Sequence, residues 1–559
     1  MSLAIARALL VSVVMTLAGL PGCTPRSAGD GGGGSLVEGG LVEGGLVEGG
    51  TGATSSGPAR LAPIANVKPR NIVFIITDDQ RYDAMGFLHS YLETPNIDAI
   101  AKSGAYFKNA VVTSSLCSPS RASIFTGRYA HNHRVVTNND PIPKGTVLFP
   151  EYLKQRGYET AFFGKWHMGP TDSPQPGFDR WVSFPGQGVY MPEPGYTLNV
   201  DGQRVPQKGY ITTELTDYAL DWLEKRTGDA PFFAYVSHKA VHSPLTPEDR
   251  FKGRYANKPW TAPATMAPGD AAHRGRPMWV HNQRNSWHGV EFAYYGDLAI
   301  KDLYHTYLET LLSVDESVGR VLAFLRRRNL LDSTLVIYMG DNGFSFGEHG
   351  LIDKRTAYEE SMRVPLVMQC PELFKGGQIV GEVVANIDLA PTILAAAGLV
   401  APTSMDGRNA LPLIAGAIGQ GAPWREATLY EYYWEKNHPH TPTLFALRDK
   451  RYKYVRPYGV WDLDELYDLE QDPNEANNLA VDAKFAETRD RMKQRMFAML
   501  EASDGMQIPL YADSGESTFL RDPKKSRAAD FPRAFEATPA EVKARLEAEK
   551  HGQAEPPRP

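Results

Sequence analysis

Carboxylates, an amide and paired basic groups gather where four apolar runs end. "NIVFIIT" (71–77) runs into Asp78 and Asp79, and "TAFF" (160–163) into "GKWH", which carries Lys165 and His167. "PFFAYVS" (231–237) runs into His238, Lys239 and His242, and "STLVIYM" (333–339) into Asp341 and Asn342. Asp78, Asp79, Asp341 and Asn342 are short oxygen donors, with no cysteine and no tight histidine pair among them. That is hard-cation chemistry, so Ca²⁺ is expected, Mg²⁺ less so, and either before Zn²⁺. An Asp-Asp pair more often opens a turn or caps a helix. The matching "GDN" after a second apolar run favours the metal.

A second cluster surrounds an anion rather than a cation. In "SSLCSPSRASIFTGRY" (114–129), Ser118 and Pro119 suit the cap and first position of a helix running through "SRASIF". Its N-terminal amides would face Cys117 and favour a bound anion. Arg121, one turn in, can add a bidentate guanidinium. Lys165, His167, His242 and Lys354 (in "LIDKRTAYEES") can converge on the same point. Singly these residues say little, since a lone cysteine is usually a small core hydrophobe and lysines are usually solvated.

The elements that must position these groups are legible as periodicity. The four runs are apolar on both faces, as parallel strands covered by helices are. "YITTELTDYALDWLEKR" (210–226) and "HTYLETLLSVDESVGRVLAFLRRR" (305–328) carry helical periodicity between them. The spacing predicts an α/β catalytic domain over 69–425, with ligands bound outside the carboxyl ends of its strands. From 426 to 505 the texture changes to a few antiparallel strands and a helix over 485–502, a small α+β subdomain. Residues 506–559 are charged and proline-rich and read as a loosely packed tail.

The net charge of −6 gives no support to a nucleic-acid binder, so anion attraction must be local. "HNH" at 131–133 is accordingly read as local structure and not as a nuclease motif. Cysteines at 23, 117 and 370 do not make a disulfide framework. "MSLAIARALLVSVVMTLAGLPGC" has the short apolar run of a signal peptide, and its "LPGC" end is similar to a bacterial lipoprotein box that would lipidate Cys23. Residues 24–68, with "LVEGG" three times in succession, read as a flexible tether. The expected location is therefore periplasmic or outer-membrane-anchored in a bacterium, with no membrane contact beyond the lipid.

At residues 117–128 the pattern becomes specific. "CSPSRASIFTGR" resembles the signature of the type I, formylglycine-dependent sulfatases, Cys-x-Pro-Ser-Arg followed by Thr-Gly-Arg. The resemblance runs from about Asn71 to Leu479 through "DDQRYDAMG", "GKWHMG", "KAVHSP", "GDNGFSFGEHG", "NIDLAPTIL" and "LYDLEQDPNEANNL". It implies an alkaline-phosphatase-like, mostly parallel sheet flanked by helices, with a smaller C-terminal antiparallel sheet. It implies that Cys117 is converted to formylglycine by a formylglycine-generating or anaerobic sulfatase-maturing enzyme. Ca²⁺ would be held by Asp78, Asp79, Asp341, Asn342 and the modified residue 117. Arg121 and Lys165 would stabilise the hydrated aldehyde, and Lys165, His242 and Lys354 would hold the sulfate. His242 would protonate the leaving oxygen, with Lys354 as an alternative donor, and His167 would take a proton from the second hydroxyl.

The substrate-side segments "PGFDRWVSFPGQGVYMPEP", "YVSHKAVHSP" and "YEYYWEKNHPHTPTLFALRDKRYKYV" look similar to sulfatases acting on 6-sulfated N-acetylglucosamine of glycosaminoglycans or mucins. His349, Arg355 and His440 are candidate substrate contacts. Residues 253–296, with Trp260, Trp279, Trp287, His281 and His288, could form a sugar-stacking lid or simply pack against the domain. Two other readings are a phosphate or phosphonate monoester hydrolase of the same fold and a non-catalytic lipoprotein that binds sulfated glycans.

Overall fold

The computed structural model describes residues 58–266, 275–283, 286, 288–290, 299–415 and 423–508. The signal-like segment 1–23, the tether up to residue 57, Trp287 and the tail beyond 508 lie outside them.

Ten strands form the main sheet: β1 (Asn71–Thr77), β2 (Ala105–Val111), β3 (Glu159–Gly164), β4 (Arg180–Ser183), β5 (Thr197–Val200), β6 (Gln203–Pro206), β7 (Phe232–Ser237), β8 (Thr334–Gly340), β9 (Leu366–Gln369) and β10 (Gln378–Ala385). Their order is β10-β2-β9-β8-β1-β7-β3-β4-β5-β6. The four apolar runs are the adjacent central strands β8, β1, β7 and β3, all parallel. Their registers bring Thr77 level with Gly340, and Gly164 level with Ser237, so their carboxyl ends finish at one edge. β9 pairs antiparallel with both β2 and β8, making the sheet mixed on that side.

β1 shows why each run is apolar throughout. Ile72, Phe74 and Ile76 point into one core, and Val73 and Ile75 into another. The first core takes Ala122, Ile124 and Phe125 from the helix Cys117–Thr126. The second takes Leu215 and Ala219 from the helix Ile211–Lys225, and Leu308 and Leu311 from the helix Ile300–Arg327. Burying both faces removes alternation from the sequence, as a covered parallel strand requires.

A separate antiparallel sheet follows: β11 (Ala427–Tyr432), β12 (Thr443–Asp449), β13 (Tyr452–Tyr458) and β14 (Glu465–Asp468), ending in the helix Ala486–Ala502. It joins the main core through Leu429, Tyr430, Leu444 and Tyr454. The Glu431 N–H also donates to the Thr113 carbonyl, 2.8 Å.

Candidate active site

Each central strand passes its chemistry to the loop that follows. β1 delivers Asp78 and Asp79, β8 delivers Asp341 and Asn342, β3 delivers Lys165 and His167, and β7 delivers Lys239 and His242. Asp79 (φ 61°) and His167 (φ 53°) hold the left-handed backbone that non-glycine residues rarely adopt. Gly164 is required where β3 ends: a Cβ there would lie 1.8 Å from the Ser237 carbonyl oxygen of β7.

The helix of the signature begins two residues earlier than its sequence suggests. Cys117 is its first residue and Leu116 its cap, so Ser118 is not the cap. The Ser118 hydroxyl instead donates to the His167 carbonyl, tying the helix start to the loop after β3. Stacking of Phe125 on Tyr235 (centroids 4.9 Å) and its contact with Trp166 (5.0 Å) seat the helix on the sheet. Asn386 locks it further: its Oδ1 accepts from the Thr113 N–H (3.0 Å) and its Nδ2 donates to Ser120 Oγ (2.9 Å).

At the centre is the Cys117 thiol. It donates to Asp78 Oδ1 (3.2 Å) and accepts from Lys354 Nζ (2.8 Å). Ligand atoms of Asp78, Asp79, Cys117 and His242 all lie within 4.8 Å of one another. Asp341 Oδ1 accepts from the Asp79 N–H (3.1 Å), and Asn342 Nδ2 donates to Asp79 Oδ1 (2.7 Å). Asn342 Oδ1 is buried with no hydrogen-bond partner. An orphaned amide oxygen beside three carboxylates fits a hard cation, because such an ion takes oxygen donors. Lys165 pairs with Asp78, and Lys354 with Asp79. The Arg121 fork is taken up within the protein, by Asp341 Oδ2 (2.9 Å), the Lys165 carbonyl (2.7 Å) and Ser237 Oγ (2.6 Å).

Burial sets the protonation states. It pushes the Cys117 thiol up to about 12, helped by Asp78. It would raise Asp78 too, but Lys165, His242 and Arg121 hold that carboxyl well below the usual range. Burial and Lys165 keep His167 neutral, and burial does the same for His242 against the pull of Asp78. Lys239 falls to about 7, through burial and then Lys165.

Two neighbours that the sequence reading did not single out, Gln187 and Ser243, fix the imidazoles. An ammonium can only donate, so Gln187 Oε1 accepts from Lys165 Nζ (2.5 Å) and its NH₂ faces His167 Nε2 (3.1 Å). Nε2 is therefore the lone-pair side of His167. The Ser243 carbonyl accepts from His242 Nδ1 (2.6 Å) and from Lys239 Nζ (3.2 Å), which leaves His242 Nε2 facing the carboxylates, 3.7 Å from Asp79 Oδ2.

The outlying residues fall into different surroundings. Arg355 bonds Glu435 (2.8 Å) and Asp353 (3.0 Å) beside Lys354. His349 stacks on Tyr358 (3.7 Å) in a second buried group with Glu360 and Glu475, where Lys453 bonds Glu475 at 2.6 Å and supplies counter-charge. His440 is exposed between β11 and β12. Of the lid aromatics, Trp279 is only 6% exposed and Trp260 packs against the second core. Both sit as packing residues. His288 hydrogen-bonds His438 (2.8 Å). In "HNH", His131 bonds Glu431 and His133 bonds Ser123 (3.0 Å), so the motif braces the signature helix against the small sheet.

Comparison with known proteins gives this geometry a family. A profile described as Sulfatase matches residues 70–399. This chain belongs to the sulfatase family. A second profile, N-sulphoglucosamine sulphohydrolase, C-terminal, matches residues 347–502. The chain is 32% identical to an N-acetylglucosamine-6-O-sulfatase of Bacteroides thetaiotaomicron, over 76% of this sulfatase and 85% of the relative. It is 28% identical to a multifunctional alkaline phosphatase superfamily protein, PehA, of Trinickia caryophylli, over 75% and 92%. A solved structure described as a complex with its substrate D-glucosamine-2-N,6-O-disulfate superposes with a TM-score of 0.73 at 30% identity, covering 79% of this chain and 99% of the other. The alkaline-phosphatase-like fold and sulfuric ester hydrolysis follow from membership.

Proposed function

We propose that this sulfatase removes 6-O-sulfate from N-acetylglucosamine in glycosaminoglycan or mucin-type glycans, using residue 117 as formylglycine and Ca²⁺ as the metal. The reading is carried by the position of the Cys117 side chain, between Asp78 and Lys354 in a ring of basic groups. A buried thiol pushed up to about 12 is a poor nucleophile at neutral pH, which favours a working form other than cysteine. Converted to a hydrated aldehyde, residue 117 supplies one hydroxyl to attack sulfur and a second whose deprotonation lets sulfate leave. Asp78, Asp79, Asp341 and Asn342 would hold Ca²⁺, which supplies positive charge against the sulfate oxygens.

The chain's own groups do the rest. Lys165 and Lys354 meet the charge that builds on sulfuryl oxygens. His242, with Nδ1 held by the Ser243 carbonyl, presents Nε2 to the leaving sugar oxygen. A sulfate seated beside it adds the negative charge that favours its imidazolium, so the proton is available when the ester bond breaks. Lys354 is the alternative donor. His167 accepts a proton at Nε2 in the second half of the reaction, after Gln187 has given up that contact.

Protein isolated from its host tests both halves. The mass of the tryptic peptide spanning residue 117 should be that of formylglycine, and sulfate release should be fastest from 6-sulfated N-acetylglucosamine within a panel of sulfated sugars. Unmodified cysteine in protein inactive on every sulfate ester would sink the reading and leave glycan binding without turnover. Kinship with a multifunctional alkaline phosphatase superfamily protein keeps phosphate and phosphonate esters as the second reading, decided by relative rates on aryl sulfate and aryl phosphate. The N-terminal "LPGC" supports export and lipidation of Cys23, which loss of palmitate labelling in C23A would test.

A further inference from the structure

Nearly half of the large exposed apolar side chains among the described residues belong to one region. Among the described residues, six of the thirteen large exposed hydrophobics are Met278, Trp434, Tyr458, Val460, Trp461 and Leu463. Contacts place them along one ridge. The Trp434 N–H donates to Thr443 Oγ1 (3.0 Å), and Thr443 pairs across the small sheet with Tyr458. Tyr458 closes β13, and the loop after it carries Val460, Trp461 and Leu463. Within that loop Asp462 accepts from the backbone N–H groups of Met278 (2.9 Å) and Trp279 (2.8 Å). Trp461 is 103% exposed, the fullest exposure of any of these side chains.

One end of the ridge reaches the catalytic residues. Trp434 precedes Glu435, which bonds Arg355, and Arg355 follows Lys354. The other end is tied to the same region through the helix Met278–Gln283: Gln283 bonds Thr441 (2.8 Å), and His288 bonds His438 and lies 3.5 Å from Asp353. A pyranose ring offers an apolar face of C–H groups that packs on indole and phenol rings, while its hydroxyls stay in water. Large apolar side chains exposed together in one region mark interaction sites.

We propose that this ridge binds the glycan chain beyond the sulfated sugar, with Trp434 under the sugar next to the site and Trp461 under a more distant one. The proposal rests on the reading of the substrate as a sulfated glycan. The aromatic platform is thus supplied by the small C-terminal sheet, and not by Trp279, which is buried, or Trp260, which packs half-buried against the second core.

The test compares W461A and W434A with the wild type on 6-sulfated N-acetylglucosamine and on a tetrasaccharide ending in that sugar. Trp461 touches water on all sides, so its removal leaves the fold intact. The expected result is a KM on the tetrasaccharide raised about fivefold to tenfold for each variant, the scale of one lost aromatic contact, with monosaccharide kinetics unchanged for W461A. Equal constants for wild type and W461A on both sugars would overturn the ridge while leaving the reaction intact. No wild-type hydrolysis of either sugar would overturn the substrate reading and the ridge together. Unchanged tetrasaccharide kinetics with W461A, accompanied by lost binding to phosphatidylglycerol vesicles, would also overturn the proposal and assign the ridge to a lipid surface.

Discussion

Gln187 touches both members of a catalytic pair, and it does so with opposite ends of one amide. Its carbonyl accepts a hydrogen bond from Lys165 and its NH₂ caps the lone pair of His167. Q187L removes both contacts without adding charge. A hydrogen bond to a charged group is worth about 1.5–3 kcal/mol, so kcat/KM should fall by about tenfold to a hundredfold while the melting temperature barely moves. Q187E replaces the amide donor with a second acceptor, which favours the imidazolium of His167. The pH–rate limb belonging to His167 should then move to higher pH, and an unmoved limb would remove Gln187 from any role in setting that ring. Gln187 lies in a substrate-side segment that resembles the family, but nothing marked it as a site residue, because a glycine-flanked glutamine in a loop has no period and no partner spacing. Asp78, Lys165 and Asp341 were legible for the opposite reason: each follows a doubly apolar run, and the topology of parallel strands brings such positions to one edge.

At the scale of elements, the long central strands and helices were readable and the short edge pieces were not. β4, β5, β6 and β9 have four residues each, too few to establish a period, and β9 enters between β2 and β8 against the parallel direction. The start of the signature helix was displaced because Ser118 finds a tertiary partner in the loop after β3, which outweighs its local preference for a cap. The element that matters most for activity is that helix, and Asn386 holds it. N386A leaves the Thr113 amide and the Ser120 hydroxyl in a fully buried place with fewer partners. Urea unfolding should show a loss of about 2–4 kcal/mol, and activity per folded molecule should drop because residue 117 opens the same helix. N386A with wild-type stability would mean that aromatic packing of Phe125 suffices to seat the helix.

Across the whole molecule, the main domain and the small sheet meet over buried charge, and that junction should respond to pH. Glu465 of β14 accepts from the hydroxyls of Tyr358 (2.7 Å) and Tyr467 (2.6 Å). Burial raises its carboxyl to about 7 in spite of both donors and of Lys453. A carboxyl raised in the folded state binds more protons folded than unfolded, so its contribution to stability is fully present below about pH 4.5 and is lost as pH rises through about 7. The loss is about 3 kcal/mol at most, from the size of that rise. Glutamine keeps an oxygen for the two phenols and cannot ionise. E465Q should therefore flatten the decline in stability between pH 4.5 and 7, followed by urea midpoints across that range. Activity at neutral pH should persist in E465Q, because the group lies at the junction and not among the residues around Cys117. If wild type and E465Q decline in parallel, Glu465 is already ionised in the folded protein and Lys453 outweighs the desolvation of its carboxyl.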